Sequence, residues 1–123
     1  MIKVYVAGAY SDNNAIGALK NIGRGQSVAA ELFMLGFAPF TPWHDKSFVI
    51  ENWTGDFTVN MFYDYSMEWL KVSDVVLIVP NTKGLKTWQE SKGTLKEIEI
   101  AEKNNISVFY NIKDLIKFKN DIY

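Results

Sequence analysis

The segment from Ser91 to Ala101 combines an acidic residue with small residues at a spacing that could create a binding notch. Gly93, Glu97 and Ala101 recur every four residues, so on a helix they form one stripe, and two of the three are small. Because a helical side chain leans toward the helix N-terminus, the Glu97 carboxylate should lie above Gly93, where no side chain fills the space. The pattern therefore predicts a carboxylate beside a gap. Spacing alone also fits a solvated glutamate on a charged helix, which is the commoner case.

Other familiar catalytic and phosphate-binding motifs are missing. Neither G-x-x-x-x-G-K-[ST] nor a G-x-G-x-x-G after the first predicted strand is present. Gly23-Arg24-Gly25 falls inside a helical pattern, which favours a packing or conformational role. A Ser-His-Asp triad would have to use His44, and no G-x-S-x-G elbow accompanies it.

Composition excludes several further kinds of site. The 123 residues include no cysteine and one histidine, which argues against disulfides, thiolate zinc sites, a cysteine nucleophile and multi-histidine metal sites. We therefore expect no metal and no cofactor. Lys plus Arg is 13 and Asp plus Glu is 14, so the basic surplus typical of nucleic-acid binding is missing. The 48% hydrophobic content fits a single folded domain spanning residues 1–123.

The hydropathy pattern gives an expectation about location. No apolar run approaches the roughly 20 residues that span a bilayer, so we expect no membrane partner. The first ten residues, MIKVYVAGAY, move directly into strand-like alternation and lack the long apolar stretch of a signal peptide. These features predict a cytoplasmic protein.

Short apolar runs alternating with helical patterns predict the fold class. The predicted strands are Ile2–Ala7, Phe37–Thr41, Val75–Val79 and Ile106–Tyr110. Such alternation indicates right-handed βαβ crossovers and a parallel sheet. We therefore expect a flavodoxin-like or Rossmann-like three-layer α/β sandwich with a four- or five-stranded parallel sheet.

Helical periodicity predicts the connecting segments. The predicted helices begin between Asn14 and Asn21 and end at Gly36, cover Met61–Val72 and Ser91–Asn104, and include a short final helix at Asp114–Phe118. Trp69 and Leu95 are expected to face inward. Residues 43–60 show no clean period, which is typical of a lid or a binding loop.

In a parallel sheet, ligands bind at the carboxyl ends of the strands. The residues expected at that edge are 8–14, 42–45, 80–91 and the pair Tyr110-Asn111. The helix that starts near Ser91 should point its N-terminus at the same edge. Glu97 and its gap would then lie beside the ligand site.

Ser91, Gly93, Glu97, Ile98 and Ala101 stand in register with a known motif. The segment resembles the nucleophile motif of the nucleoside 2-deoxyribosyltransferase superfamily, roughly S-x-G-x-x-x-E-[LI]-x-x-A. Two further features match: Tyr5 three residues before Gly8, and Glu68-Trp69-Leu70-x-x-x-Asp74-Val75-Val76. The resemblance spans Ile2 to about Tyr110 and is nearest to the 2'-deoxynucleoside 5'-phosphate N-hydrolase-like branch.

The resemblance implies a glycosidic-bond reaction on a nucleoside or nucleotide. Glu97 would attack the anomeric carbon, the base would leave, and water or a second base would complete hydrolysis or transfer. Tyr5 would orient the carboxylate. Ser91 would contact a 5'-phosphate together with the N–H groups of its helix N-terminus. Family members also share residues just after strand four across a homodimer or a higher oligomer, which here implicates Asn111.

The remaining substrate-binding candidates come from the resemblance and the sheet edge: Gly8, Tyr10, Ser11, Arg24, His44, Asp45, Ser66 and Gly93. Arg24 could supply a positive charge, because the first-strand loop lacks the arginine of some nucleotide hydrolases. His44 could contact the ligand or act as a structural hydrogen-bonding group.

The sequence departs from the family at position 66, where Ser66 replaces the usual aspartate. Asp64 lies about 200° round the helix, so it is no simple substitute. Asp45 or Asp56 could serve instead. The alternative is a non-catalytic nucleotide-binding or sequestering module that kept the pocket.

Four aromatic residues in the loop, Trp43, Phe48, Trp53 and Phe57, leave three roles open. They could stack on a base, cover the core or fill a dimer interface.

Overall fold

The computed structural model describes residues 1–122 and has an α/β fold built on one sheet. The strands are β1 (Lys3–Ala7), β2 (Ala38–Phe40), β3 (Val75–Ile78) and β4 (Ser107–Phe109). They are all parallel, in the order β2-β1-β3-β4, with Tyr5 of β1 opposite Phe40 on one side and Val76 on the other. This order matches the first four strands of a flavodoxin-like sheet and confirms the predicted fold class.

Five helices surround the sheet within residues 1–122. They are α1 (Ala15–Met34), α2 (Lys46–Glu51), α3 (Val59–Lys71), α4 (Lys92–Lys103) and α5 (Ile112–Ile122), and two short 3-10 turns lie at Pro42–Asp45 and Trp88–Glu90. Asn14 caps α1 by accepting a hydrogen bond from the Gly17 N–H at 2.8 Å, so this helix begins at the early end of the predicted range.

Strand alternation divides the core between the two faces of the sheet. Val4 and Val6 of β1 join the cluster that includes Leu32 of α1 and Leu115 of α5. Tyr5 and Ala7 point the other way, into the cluster formed with α3 and α4. Tyr5 is therefore a buried strand residue on the same side of the sheet as Glu97.

The chain reverses its winding direction at β1. From β1 it crosses to β2 on one side and then to β3 on the other, so a crevice opens beyond the carboxyl ends of β1 and β3. The loops after β1, β2 and β3 all meet there.

Two predictions about the connecting segments are wrong in detail. Residues 43–60 are not one irregular loop, because they contain most of the Pro42–Asp45 turn and all of α2. The short six-residue α2 carries too few residues to display a helical period. The final helix extends over Ile112–Ile122 rather than Asp114–Phe118.

Two residues predicted to face inward are exposed. Trp69 is 46% exposed and Leu95 is 45% exposed. Trp69 lies over Phe40 of edge strand β2, with ring centroids 5.4 Å apart, so its indole covers the sheet edge instead of entering the core. The buried face of α3 is formed by Ser66, Met67 and Leu70.

Gly25 takes the packing role expected of the Gly23-Arg24-Gly25 segment. A Cβ atom built on Gly25 would lie 2.5 Å from the indole of Trp43, so only glycine lets this buried ring approach α1. Within residues 1–122, no helix is both long and apolar enough to cross a bilayer.

Candidate active site

A cavity of about 280 Å³ occupies the crevice beyond β1 and β3. Four segments surround it: the loop after β1, the turn after β2, the first two turns of α3 and the N-terminal half of α4. Its volume is close to the lower end of the range for small-molecule sites, roughly 300–1,000 Å³. Eight residues predicted for the site line it: Gly8, Tyr10, Ser11, Asp45, Ser66, Ser91, Gly93 and Glu97.

Buried Tyr5 and partly buried Glu97 form a hydrogen-bonded pair at the wall of this cavity. The Tyr5 hydroxyl donates a hydrogen bond to Oε2 of Glu97, joining β1 to α4 across 92 positions of sequence. Burial raises the pKa of Tyr5 far above its ordinary value, and the neighbouring Glu97 charge raises it further. Tyr5 therefore stays neutral and remains a hydrogen-bond donor to the carboxylate.

The Glu97 carboxyl group titrates near neutrality. Removal from water raises its pKa from 4.5 to about 7, and the hydrogen bond from Tyr5 opposes that rise by favouring the ionised form. Glu97 as a whole is only partly buried, because one side of it lines the open cavity. The ionised carboxylate at the cavity wall is thus poorly solvated and positioned by one strong donor, which suits a nucleophile or a base.

The space beside Glu97 is open. Apart from its chain neighbours and the backbone of its own helix, a Cβ atom added to Gly93 would meet only the Ser91 Oγ, at 4.0 Å. Because Gly93 and Glu97 are one helical turn apart, a side chain at position 93 would lie beside the carboxylate. The expected gap above Gly93 is therefore present.

Ser91 is the N-cap of α4, and its hydroxyl proton is available to a ligand in the cavity. Its Oγ accepts hydrogen bonds from the backbone N–H of Thr94 at 3.2 Å and from Thr94 Oγ1 at 2.9 Å. With both acceptor positions occupied, the Ser91 hydroxyl can use its own proton to bind a ligand. The adjoining Lys92 also lines the cavity, so the start of this twelve-residue helix is an electropositive wall.

Ser66 and Asp45 are the other buried polar residues at the cavity. Ser66 is 8% exposed, and its hydrogen bond to Tyr5 lowers the pKa of that phenol, against the larger effect of burial. Asp45 is 9% exposed, and burial raises the pKa of its carboxyl group. Burial, followed by the nearby Asp45 charge, raises the pKa of Tyr10 to about 12.

Three predicted ligand contacts lie outside this cavity: Arg24, His44 and Asn111. Arg24 Nη2 donates to the Lys86 carbonyl at 2.8 Å, which turns the guanidinium toward the loop after β3. Both ring nitrogens of His44 are engaged, by Thr41 Oγ1 at 2.7 Å and Gln26 Nε2 at 3.0 Å. These contacts favour the interpretation of His44 as a structural hydrogen-bonding group.

Asn111 is also outside the cavity of its own chain. Its Oδ1 accepts from the Asp114 N–H at 2.8 Å, and its Nδ2 donates to the Asp114 carboxylate at 3.0 Å. These contacts fix the start of α5. Asp56, one of two carboxylates considered as a substitute at position 66, is exposed and does not line the cavity.

Sequence reasoning missed the apolar wall supplied by α3. Phe62, Tyr63 and Met67 line the cavity beside Ser66. The signal was present, because positions 62, 63, 66 and 67 form one helical stripe, but the larger side chains at 65 and 69 suggested a different face. Of the four aromatic residues in the 43–60 segment, Trp43 lines the cavity, while Phe57 stacks behind Phe62 with ring centroids 5.8 Å apart.

No protein-family model matches the sequence, and no curated protein matches it. Among residues 1–122, no group of three or more histidine, cysteine or acidic side chains could hold a metal ion.

Proposed function

We propose that this protein cleaves the N-glycosidic bond of a nucleoside or deoxynucleoside 5'-monophosphate, with Glu97 as the nucleophile. The observation that carries the proposal is the Tyr5–Glu97 pair at the wall of a cavity of about 280 Å³. A surface glutamate on a charged helix would have neither a buried phenolic donor nor an empty position one turn before it. The register of Ser91, Gly93, Glu97 and Tyr5 with the deoxyribosyltransferase pattern supports the same chemistry.

The proposed reaction divides one difficult displacement into two steps. A Glu97 oxygen attacks the anomeric carbon as the carbon–nitrogen bond to the base breaks, forming a sugar–enzyme ester. Water then cleaves the ester and gives hydrolysis, whereas a second base gives transfer. Tyr5 acts as a positioning residue, because its hydrogen bond fixes one carboxylate oxygen and leaves the other for attack.

Features on opposite sides of the cavity support a nucleotide as the substrate. Ser91, Lys92 and the N–H groups at the start of α4 suit a phosphate. The rings of Phe62, Tyr63 and Trp43 offer apolar surface on which a base could stack. The ligand would thus extend from the α4 N-terminus, past Glu97, to the α3 wall.

Ser66 keeps a second function open, a non-catalytic module that binds or sequesters nucleotides. The test is the release of free base from a panel of ribo- and deoxynucleoside monophosphates, measured by chromatography. Release that disappears in Glu97→Gln supports the enzyme, and a second base added to the reaction separates hydrolase from transferase. Nucleotide binding by calorimetry without any release would contradict catalysis and support the module.

We also propose that the enzyme acts as a homodimer or a higher homo-oligomer in the cytoplasm, where nucleoside monophosphates are made and consumed. Asn111 does not line its own cavity, which is compatible with the family arrangement in which the residue after strand four completes a neighbour's site. Sedimentation at micromolar concentration tests this. A monomer that releases base at full rate would contradict it.

A further inference from the structure

The cavity carries two carboxyl groups, Glu97 and Asp45, while position 66 carries a hydroxyl. A departing nucleobase needs a proton on one of its nitrogens, and serine is too weak an acid to supply it. We propose that Asp45 protonates the leaving base and then serves as the base that activates the attacking water. This inference rests on the proposed function and adds the acid that the reaction requires.

The position of Asp45 fits this role. It ends the Pro42–Asp45 turn, directly beyond the carboxyl end of β2, and is 9% exposed at the cavity wall. It immediately precedes α2, yet its side chain makes no capping hydrogen bond to that helix. A buried carboxyl group that does not cap its own helix and faces a cavity can exchange a proton with a ligand there.

Asp45 and Glu97 line the same cavity from different elements. Glu97 reaches it from α4 and Asp45 from the turn after β2. The charge of Asp45 also raises the pKa values of Tyr5 and Tyr10, after the larger effect of burial on each. A nucleotide bound in this cavity would meet Glu97 at its anomeric carbon and Asp45 at its base.

The other nearby acids do not fit. Asp56 and Asp64 are exposed and neither lines the cavity. Asp45 itself retains its proton more readily than an ordinary aspartate, because burial raises its pKa against the opposing effects of Lys46 and His44. The reaction requires the form with the negative charge on Glu97 and the proton on Asp45. Because burial raises the pKa of Glu97 to about 7, Glu97 competes with Asp45 for that proton, and this form is a fraction of the free protein.

The proton balance of the two steps closes. In the first step, a Glu97 oxygen bonds to the anomeric carbon, the electron pair of the carbon–nitrogen bond moves to the base, and the Asp45 proton goes to the base nitrogen. In the second step, Asp45 takes a proton from water while the oxygen of that water bonds to the anomeric carbon, releasing Glu97. The sum is sugar phosphate plus free base, with both carboxyl groups restored.

The experiment compares substrates that do and do not require an acid. N7-methylguanine leaves from its nucleotide as a neutral base without added protonation, whereas guanine needs a proton. In a single turnover, Asp45→Asn should lower the rate of base release from the unmodified purine nucleotide about 10²- to 10³-fold but change that from the N7-methylated substrate by less than about threefold, because base release precedes the step in which Asp45 activates water. If the enzyme prefers pyrimidines, the substrate pair is 5-fluorouracil and uracil; the 5-fluorouracil anion is the better leaving group, so Asp45→Asn should slow its release less than that of uracil.

Matched variants separate the possible causes. Asp56→Asn, at an exposed carboxylate, should leave both rates unchanged, and Glu97→Gln should abolish both. Circular dichroism melting checks that Asp45→Asn folds, and Asp45→Ser is measured in parallel as a second small polar replacement. Equal losses on both substrates, or no loss on either, would overturn the role of Asp45 while leaving the proposed function intact. Absence of base release by the unmodified protein would overturn both.

Discussion

Two of the three glutamates on helix α4, Glu97 and Glu99, lie two positions apart and have opposite surroundings. Glu97 lies against the sheet, accepts a hydrogen bond from Tyr5, and has a pKa raised to about 7 by burial. Glu99 is exposed, and its pKa is lowered by the hydrogen bond and charge of Lys103 and by the charge of Lys96, with N–O distances of 3.3 and 3.8 Å. Helix phase, rather than local composition, decides which carboxylate can do chemistry, because 200° of rotation separates core from solvent.

The largest difference between the two glutamates should be in activity. Glu97→Gln keeps the shape and much of the hydrogen bonding of the side chain but removes the nucleophile, so base release should fall by several orders of magnitude. Glu99→Gln should leave the rate unchanged. The measurement is base release at saturating nucleotide, with binding checked by calorimetry. Comparable rates in the two variants would show that Glu97 is not the nucleophile.

Glu97→Gln, which should abolish activity, should by contrast increase stability at high pH. The folded-state pKa of Glu97 is raised, so the folded protein holds its proton more tightly and loses stability as pH rises from about 4.5 to about 7. Glu97→Gln removes this penalty and should raise the free energy of unfolding at pH 8 by up to about 3 kcal/mol, with the gain vanishing below pH 4.5.

The lowered pKa of Glu99 has the reverse consequence. Its ion pairs contribute stability above its ordinary pKa and lose it on acidification, so Glu99→Gln should slightly lower stability at pH 8. Urea unfolding of both variants at pH 4 and pH 8 makes the comparison. A Glu97→Gln variant less stable than the parent at pH 8 would show that the carboxylate is a structural anchor.

Tyr5→Phe removes the hydroxyl that donates to Glu97 and leaves the carboxylate itself unchanged. Loss of the donor should lower turnover by one to two orders of magnitude, or about 1.4–2.8 kcal/mol of barrier. It should also raise the pKa of Glu97 further, because the hydrogen bond from Tyr5 is what lowers it. Carboxyl titration followed by NMR measures the second effect. An unchanged rate together with an unchanged Glu97 pKa would leave Tyr5 as a core residue only.

The smallest expected effect lies at the start of the same helix. Ser91→Ala should weaken nucleotide binding about tenfold more than nucleoside binding, equivalent to about 1.4 kcal/mol. It also removes the N-cap of α4, at about 1 kcal/mol of stability. Ser91→Asp retains a capping oxygen but places a negative charge at the proposed phosphate position, so it should discriminate against nucleotides more strongly. Equal loss for nucleotide and nucleoside in both variants would remove the phosphate assignment.

The fold class and the environment of α4 could be predicted from local sequence patterns. Both depend on short-range regularities, namely strand alternation and helical spacing. The alternation in β1 placed Tyr5 and Ala7 on one face of the sheet, and the four-residue spacing aligned Gly93 with Glu97. The parallel topology then required the first-strand loop and the start of α4 to meet at one edge.

The structure departs from the local pattern where tertiary packing overrides it. Trp69 fits an inward helical stripe, yet it stacks on Phe40 because β2 forms the edge of the sheet. Arg24 and His44 are polar residues close in sequence to the predicted site, yet one turns to a backbone carbonyl and the other to Thr41 and Gln26. Such partners lie on separate elements, so no periodicity in the sequence could identify them.

The central claim is that Glu97 forms the covalent bond to the sugar, and trapping that bond tests it most directly. A 2'-fluoro-arabino nucleotide slows breakdown of the ester, because fluorine disfavours the cationic transition state. After incubation and acid quenching, intact-mass measurement should show one added sugar phosphate per chain, and peptide mapping should assign it to Glu97. An adduct on Glu99 or another residue would contradict the account. Base release, without an adduct, from a variant that lacks the Glu97 carboxylate would contradict it as well.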